Sequence, residues 1–523
     1  MKNNLFYENR IKLAIVIITT ALIVAIAVYA RASFDVKSEL LGVGVVEQGD
    51  IDSAIQIKQE RIDVYHYPIK YNGELLPYDW ENNTLYIPQD ISKKNFLGEL
   101  TSDYGTLYFS DKVSVSGEDL QIDDYHDKED CIKNNAIFTL YLIIDENSYS
   151  KYHVLFTGMP TISLTYDEYD SDNLVWTGNM KLIDPYHKKE TFVESDCRFG
   201  QRGDSSSAYD KKSYNLTLDE KKSLLGLRTD DDWALVAMIE DNGYIHNKLC
   251  YDLWNEISKN NGVDWDNTVG AEYVEVFYDN TYVGLYLLTE KVDRKLCDLK
   301  KKDILYRLEG PSIDMPNPTT GEELYSIKYP KEYTSETFDV INRFVDAYSS
   351  EEIDYEYAKS LLNMNNEIDM NLYSMFISAT DNWSKNAFFV ATARDDYKLS
   401  EIMWDMNETF GDDIIFYENY ITNPDMMTPH MDKLYKANPA EISKLMYFRW
   451  CELRDSVIKP KKIKGKVEDM ISYMEETGAL RREIDRWPEV TNQEWKMDDF
   501  YRYIDERTEY LDSHYKDDYE KYN

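Results

Sequence analysis

The stretch 379–411, ATDNWSKNAFFVATARDDYKLSEIMWDMNETFG, is the part of this chain that the rest is expected to serve. Two strand-like runs, AFFVATA and LSEIMW, flank a polar turn at Arg394, Asp395 and Asp396, a pattern that predicts a β-hairpin. A hairpin brings its two ends together. One end here carries Asp381 with Asn386, and the other carries Asp405 with Asn407, so an oxygen-rich site is expected where Asp381, Asn386 and Asp405 converge. Hard cations such as Mg2+ favour ligands of this type, and ordinary solvated loop carboxylates are the alternative reading of the same window.

The chain has 523 residues, enough for two to four units of roughly 100 to 200 residues each. Lys and Arg total 58 against 97 for Asp and Glu, a net charge of −39, which argues against a protein that neutralises nucleic-acid phosphates. Cys131, Cys197, Cys250, Cys297 and Cys451 lie far apart, without zinc-ligand spacing or a disulfide framework, and their odd number leaves at least one thiol unpaired.

Residues 13–30, LAIVIITTALIVAIAVYA, carry no charge and approach the length of about 20 residues that a membrane-crossing helix needs. Lys2, Arg10 and Lys12 precede the run, so an uncleaved signal anchor is expected, with the N-terminus in the cytoplasm and the remainder outside. From 34 to 158, short alternating runs such as TLYIP, GTLYFS and AIFTLYLIID predict an accessory β-rich domain without a catalytic constellation.

A new unit is expected from Met159. In residues 201–219, QRGDSSSAYDKKSYNLTLD, Tyr214, Leu216 and Leu218 alternate with polar residues, and the same alternation puts Lys212 on their face. A lysine there needs a phosphate or a carboxylate. Just upstream, Arg202 with Ser205, Ser206 and Ser207 forms a turn that can present hydroxyls and backbone N–H groups to an anion, or can simply be solvated. A helix over 244–257 follows, with Ile245, Leu249, Leu253 and Ile257 in one buried stripe and Asp241 in its cap region. AEYVEVFYDN and TYVGLYLLTE then meet at Asp279-Asn280 as a second hairpin, ending in Glu290 and a charged linker. The later half reads as mostly helical, with helices expected near 337–348, 357–362 and 370–378 and in a long series beyond Pro439.

The motifs RGDSSS, DKKSYNLTL, DDWALVAMIEDNGYIHNKL, VGLYLLTEKV, DNWSKN and WDMNETFG, followed by helices containing Arg-Trp, stand in the order found in the CotH (spore coat protein H) kinases, and the chain resembles that family from about Met159 to Asp512. The resemblance implies an α+β fold: a two-lobed protein-kinase-like domain, with a β-rich N-lobe containing one main helix at 159–295 and a helical C-lobe with the active-site hairpin at 296–523. The anchor (1–33) and the small β-rich domain (34–158) would precede it. It further implies ATP and Mg2+ or Mn2+ as cofactors, and a surface or secreted protein as the acceptor of phosphate on Ser or Thr. Asp381 matches the catalytic-loop aspartate, and Asn386 follows at D-x-x-x-x-N spacing as a metal ligand, with Asp405 as the second. Lys212 matches the strand lysine on the α and β phosphates, and Glu290 the adenine hinge; Arg202, Ser205 and Ser206 substitute for a Gly-rich phosphate loop. Glu256 and Asp241 are the two candidate partners for Lys212. The family's W-D-x-D pattern has Asn407 at its last position here, so an amide stands where a second carboxylate is usual, and a kinase-like surface module without catalysis is the alternative function.

Overall fold

Most of the alternating apolar residues between Val36 and Glu290 enter two large β-structures, each packed around its own core. The first is an open sheet built from β1 (Val36–Leu40), β2 (Val43–Val46), β3 (Tyr78–Asp79), β4 (Thr84–Pro88), β5 (Thr106–Val115), β6 (Ile137–Ile143) and β7 (Ser148–Thr157). Their spatial order is β1-β2-β5-β6-β7-β4-β3. Phe109, Phe138, Leu140, Val154 and Phe156 fill its core. This computed structural model describes residues 34–61, 66–122, 127–187, 191–203, 205–265, 268–309, 321–350, 352–379, 381–383, 385–411, 421–423, 427–488 and 496–523. The expected anchor lies outside the described residues, among which no helix is long and apolar enough to cross a membrane.

The second structure is a closed barrel of β8 (Thr161–Asp170), β9 (Val175–Ile183), β10 (Phe192–Arg202), β11 (Ser213–Ser223), β12 (Thr229–Val236), β13 (Ala271–Tyr278) and β14 (Thr281–Glu290). The β8–β13 pair is parallel and closes the ring, which leaves no barrel edge for another chain to extend. Asp279 and Asn280 form the turn between β13 and β14 with φ of 46° and 58°, the left-handed geometry that a two-residue hairpin favours and that Asp and Asn tolerate. Between β12 and β13 lies α1 (His246–Ile257), on which Ile245, Leu249, Leu253 and Ile257 are buried as the periodicity predicts. The Asp241 carboxylate accepts the backbone N–H groups of His246 (2.8 Å) and Asn247 (3.0 Å), satisfying donors at the helix start that have no partner within the helix.

The later half is helical with one exception that the sequence reading missed. β15 (Ile304–Leu308), β16 (Tyr325–Tyr329), β17 (Ala387–Ala391) and β18 (Leu399–Met403) form a four-stranded sheet in the order β16-β15-β17-β18. The expected hairpin is β17–β18, so it sits at one side of a sheet and does not stand alone. Around it pack α2 (Asp339–Ser349), α3 (Met364–Ile377), α4 (Pro429–Ala437), α5 (Pro439–Ser456), α6 (Pro460–Glu476), α7 (Ala479–Arg486) and α8 (Met497–Tyr522). One apolar core runs from α1 and the outer face of β13 and β14 through this sheet into α3, α5 and α8. The architecture is therefore α+β. All five cysteines are free thiols.

The short helix α7 reverses the usual amphipathic rule, because its buried residues are Ala479, Arg482 and Glu483. Each buried charge finds a partner across the fold. Arg482 pairs with the fully buried Glu275 of β13 (2.7 Å) and donates to Thr157 Oγ1 at the end of β7 (2.7 Å), so one guanidinium ties the open sheet, the barrel and the helices. Removing one member of such a pair strands the other charge without water and costs about 3–5 kcal/mol. Arg482→Met is expected to lower unfolding stability by that amount in urea denaturation, and Arg482→Met combined with Glu275→Leu to recover most of it.

Candidate functional site

The hairpin joins its two flanking loops as its geometry requires. Trp404 N donates to Asn386 O (2.9 Å), and the buried Asn382 donates through Nδ2 to Asn386 O (3.2 Å) and Trp404 O (2.9 Å). Asp381, Asn386, Asp405 and Asn407 consequently line one cleft of about 700 Å3 between the barrel and the helical half. Asn386 and Asp405 both adopt left-handed backbone, with φ of 59° and 63°, a conformation that costs energy and persists only where the surroundings impose it. Helix α1 supplies that restraint: Met406 N donates to Asn247 Oδ1 (2.8 Å) and Asp405 N to the Tyr251 hydroxyl (3.3 Å).

Asn386 Nδ2 donates to Asp381 Oδ2 (2.8 Å), which leaves Asn386 Oδ1 as the atom available to a cation. Lys385 Nζ lies 3.2 Å from the other Asp381 oxygen. Asp405 is different. Burial pushes its carboxyl above the usual carboxylate range; Arg202 and Lys385 oppose that rise, while the charges of Asp381 and Asp241 add to it.

Across the cleft stand Arg202, at the end of β10, and Lys291, just past β14. The Arg202 guanidinium lies over the Trp404 ring, 5.4 Å from its centroid. Burial pulls the Lys291 ammonium below its usual range, with Asp232 opposing and the neighbouring Arg202 charge adding to the fall. Among the described residues, no carboxylate lies within ion-pair distance of either cation, and no donor is bonded to the Asp405 carboxylate. Two cations and an acid thus share a cleft without pairing with one another.

The lysine expected to serve this site is displaced by one residue. Strand β11 begins at Ser213, so Lys212 falls outside the alternation and turns back to the carbonyls of Ser207 and Tyr209, half-buried and away from the cleft. Lys211 is the buried one. Its Nζ donates to Ala237 O (2.9 Å), Leu285 O (2.6 Å) and Glu483 Oε1 of α7 (2.5 Å), and the residue lines the cleft floor. Neither carboxylate proposed as the lysine's partner takes that role: Glu256 pairs with Lys462 and Lys466, and Asp241 caps α1. Glu290 also lies outside the cleft lining, because its carboxylate accepts the N–H groups of Arg228 (2.9 Å) and Gly270 (3.0 Å). The residues after it, Lys291, Val292 and Asp293, do line the cleft.

Gly203 and Ser206 line the same wall. Gly203 has φ of 113°, and a Cβ there would lie 2.2 Å from Ser206 Oγ, so only glycine lets the turn close this tightly. The Ser205 side chain lies outside the described residues. Lys291 and Lys385 carried no signal beyond their neighbours in the sequence; Lys211 was visible only as half of a Lys-Lys doublet.

A family model described as CotH kinase protein matches residues 199–512, more than half of the chain. The chain belongs to the CotH family. Comparison with curated proteins gives no match. Within this CotH chain the matched span opens on β10, three residues before Arg202, and closes on α8, so it includes every cleft residue named above. The electrostatics of the cleft are directly testable. In carboxyl-labelled protein followed by NMR, Asp381→Asn should lower the pKa of Asp405 by removing a like charge, and Arg202→Gln should raise it further.

Proposed function

We propose that this CotH protein is a metal-dependent kinase that transfers the γ-phosphoryl group of ATP to a Ser or Thr hydroxyl of a surface or secreted protein. In this reading the barrel with α1 acts as the N-lobe of a protein-kinase-like pair and the helical half as the C-lobe, with ATP bound between them. The observation that carries it is Asp405 facing Arg202 and Lys291 across the cleft, none of the three in an ion pair among the described residues. A ligand that satisfies both sides must offer a cation to one and anionic oxygens to the other, and a divalent metal bound to a polyphosphate does so.

The residues fit such a group. Asp405 and the amide oxygens of Asn386 and Asn407 supply the hard oxygen atoms that Mg2+ or Mn2+ accepts, and the metal, when bound, would neutralise phosphate oxygens and hold them in line with the acceptor. Arg202 and Lys291 would hold the phosphate oxygens, with the Gly203–Ser206 turn beside them. Ala234, Val236, Val292 and Phe388 provide apolar walls suited to a purine. Asp381, positioned by Asn386 and Lys385, would orient the acceptor hydroxyl and receive its proton. Lys211 has spent all three protons on internal acceptors, so we assign it to the floor of the site and give the phosphate contacts to Arg202 and Lys291. The uncharged run at 13–30 supports an N-terminal membrane anchor that holds this domain outside the cell.

Asn407 supports the alternative of a kinase-like module that binds nucleotide without transfer, since an amide is a weaker metal ligand than a carboxylate. Full-length protein in detergent, incubated with labelled ATP and Mg2+ or Mn2+, should transfer label, and Asp381→Ala or Asp405→Ala should each reduce transfer on the order of 100-fold or more. Transfer that survives both substitutions, or none with either metal, overturns the kinase reading. ATP with metal at about 100 times its Kd should stabilise the fold by about 2.7 kcal/mol, and that shift without transfer identifies the binding module. Asn407→Asp should tighten metal binding in either case, seen as a lower Mn2+ concentration at half-maximal thermal shift.

A further inference from the structure

Behind the hairpin, on the side away from the cleft, three titratable residues from three elements converge: Glu367 of α3, Glu401 of β18 and His430 of α4. One ligand atom from each lies within 4.8 Å of the other two. All are buried, Glu367 at 0%, Glu401 at 3% and His430 at 5% exposure. His430 Nε2 lies 2.7 Å from Glu367 Oε2 and 3.9 Å from Glu401 Oε2.

Three features mark this cluster as able to hold a ligand. Glu367 Oε1 and Glu401 Oε2 are buried oxygens that find no hydrogen-bond partner among the described residues. The buried Asn382, whose Nδ2 closes the hairpin base, has an Oδ1 in the same condition, and Asn382, Glu401 and His430 line one cavity of about 20 Å3, roughly the space of a single water or ion. The rest of that lining is Leu308, Tyr325, Phe344, Phe389, Thr428 and Pro429, which brings no positive charge. With both carboxylates ionised, the pair and one imidazole carry a net negative charge even when the histidine is protonated, and unpaired buried charge is costly. A divalent cation with neutral His430 balances the two carboxylates.

We propose that Glu367, Glu401 and His430 form a structural metal site for a first-row divalent cation such as Zn2+, with Asn382 Oδ1 beside it. One nitrogen and two carboxylate oxygens suit Zn2+, which accepts both at about 2.0–2.2 Å, better than Mg2+, which rarely takes imidazole. Ligand atoms of a tetrahedral ion with such bonds stand about 3.3 Å apart, so the Glu367–His430 pair opens by roughly 0.6 Å to admit it. The ion would pin α3, α4 and β18 together directly behind the loop that carries Asp381. It is separate from the cleft metal and does not depend on the kinase reading.

The test is metal content in the full-length protein, stripped with EDTA, equilibrated with Zn2+ in the presence of millimolar Mg2+, desalted and analysed by mass spectrometry. Asp405→Asn, which removes the cleft carboxylate, should still retain about one Zn2+ per chain. Asp405→Asn combined with Glu401→Gln or His430→Gln should lose it, while circular dichroism remains unchanged. Absence of Zn2+ from the Asp405→Asn protein, or equal retention after Glu401→Gln, overturns the proposal and leaves a protonated Glu401 beside a Glu367–His430 ion pair. If the double variants do not fold, Co2+ added to stripped Asp405→Asn protein decides: intense visible bands of an imidazole-bound, low-coordinate ion support the site, and the pale spectrum of aqueous Co2+ overturns it.

Discussion

The ammonium of Lys211 gives every proton it has to acceptors inside the protein, and the Glu483 carboxylate that receives one of them also accepts Leu285 N (2.7 Å). Burial pulls the lysine below its usual range and pushes the glutamate above its own, and mutual attraction opposes both shifts. Desolvation outweighs the attraction, as is common for ion pairs removed from water, so the pair is justified less by net stability than by what it excludes. With Arg482 beside it on α7 and Glu275 opposite, only one docking of α7 against the barrel satisfies all four charges. The floor of the cleft depends on that register, because Lys211 lines it.

Fixing the floor in this way determines which cations remain for a ligand. A lysine with three short internal hydrogen bonds would have to break them to reach an anion, and each charged hydrogen bond is worth about 1.5–3 kcal/mol. Arg202 and Lys291 carry no such debt. They are held by a stack on Trp404 and by burial respectively, and their proximity raises the energy of the empty cleft. Asp405 does the same from the other wall, because burial and two neighbouring carboxylates disfavour its ionised form. A cleft that holds Arg202 and Lys291 beyond ion-pair distance of Asp405 is prepared for a ligand carrying both signs.

What was readable in the sequence follows from how local each signal is. The Asp279-Asn280 turn, the buried stripe of α1 and the β17–β18 hairpin are set by neighbours within a few residues, and each is found where the pattern placed it. The convergence of Asp381, Asn386, Asp405 and Asn407 followed from the hairpin alone. The lysine was misplaced by one position because extrapolating the alternation of Tyr214, Leu216 and Leu218 assumes a strand that in fact starts only at Ser213. β15 and β16 escaped notice because they are short and because β15, the strand that joins them to the hairpin, pairs with β17 far along the chain. Glu483 was beyond reach of any local pattern, since ALRREIDR reads as a solvated helix and its burial is decided by Lys211, 272 residues away.

Asn382 joins the front and rear of the hairpin. Its amide donates to the backbone of both loops that carry the cleft carboxylates, and its oxygen belongs to the cavity shared by Glu401 and His430. Its neighbour Asp381 faces the cleft, so adjacent residues serve opposite sides of one short 3-10 turn. The left-handed backbone at Asn386 and Asp405 is tolerated because it is restrained from two directions, by α1 in front and by Asn382 behind. Any shift of β18 relative to α3 and α4 would move Asn382, and with it the spacing of Asp381 from Asp405. Carboxylates of like charge in one cleft must be held together against their own repulsion, and here the restraint that opposes the repulsion comes from two buried amides, Asn247 in front and Asn382 behind.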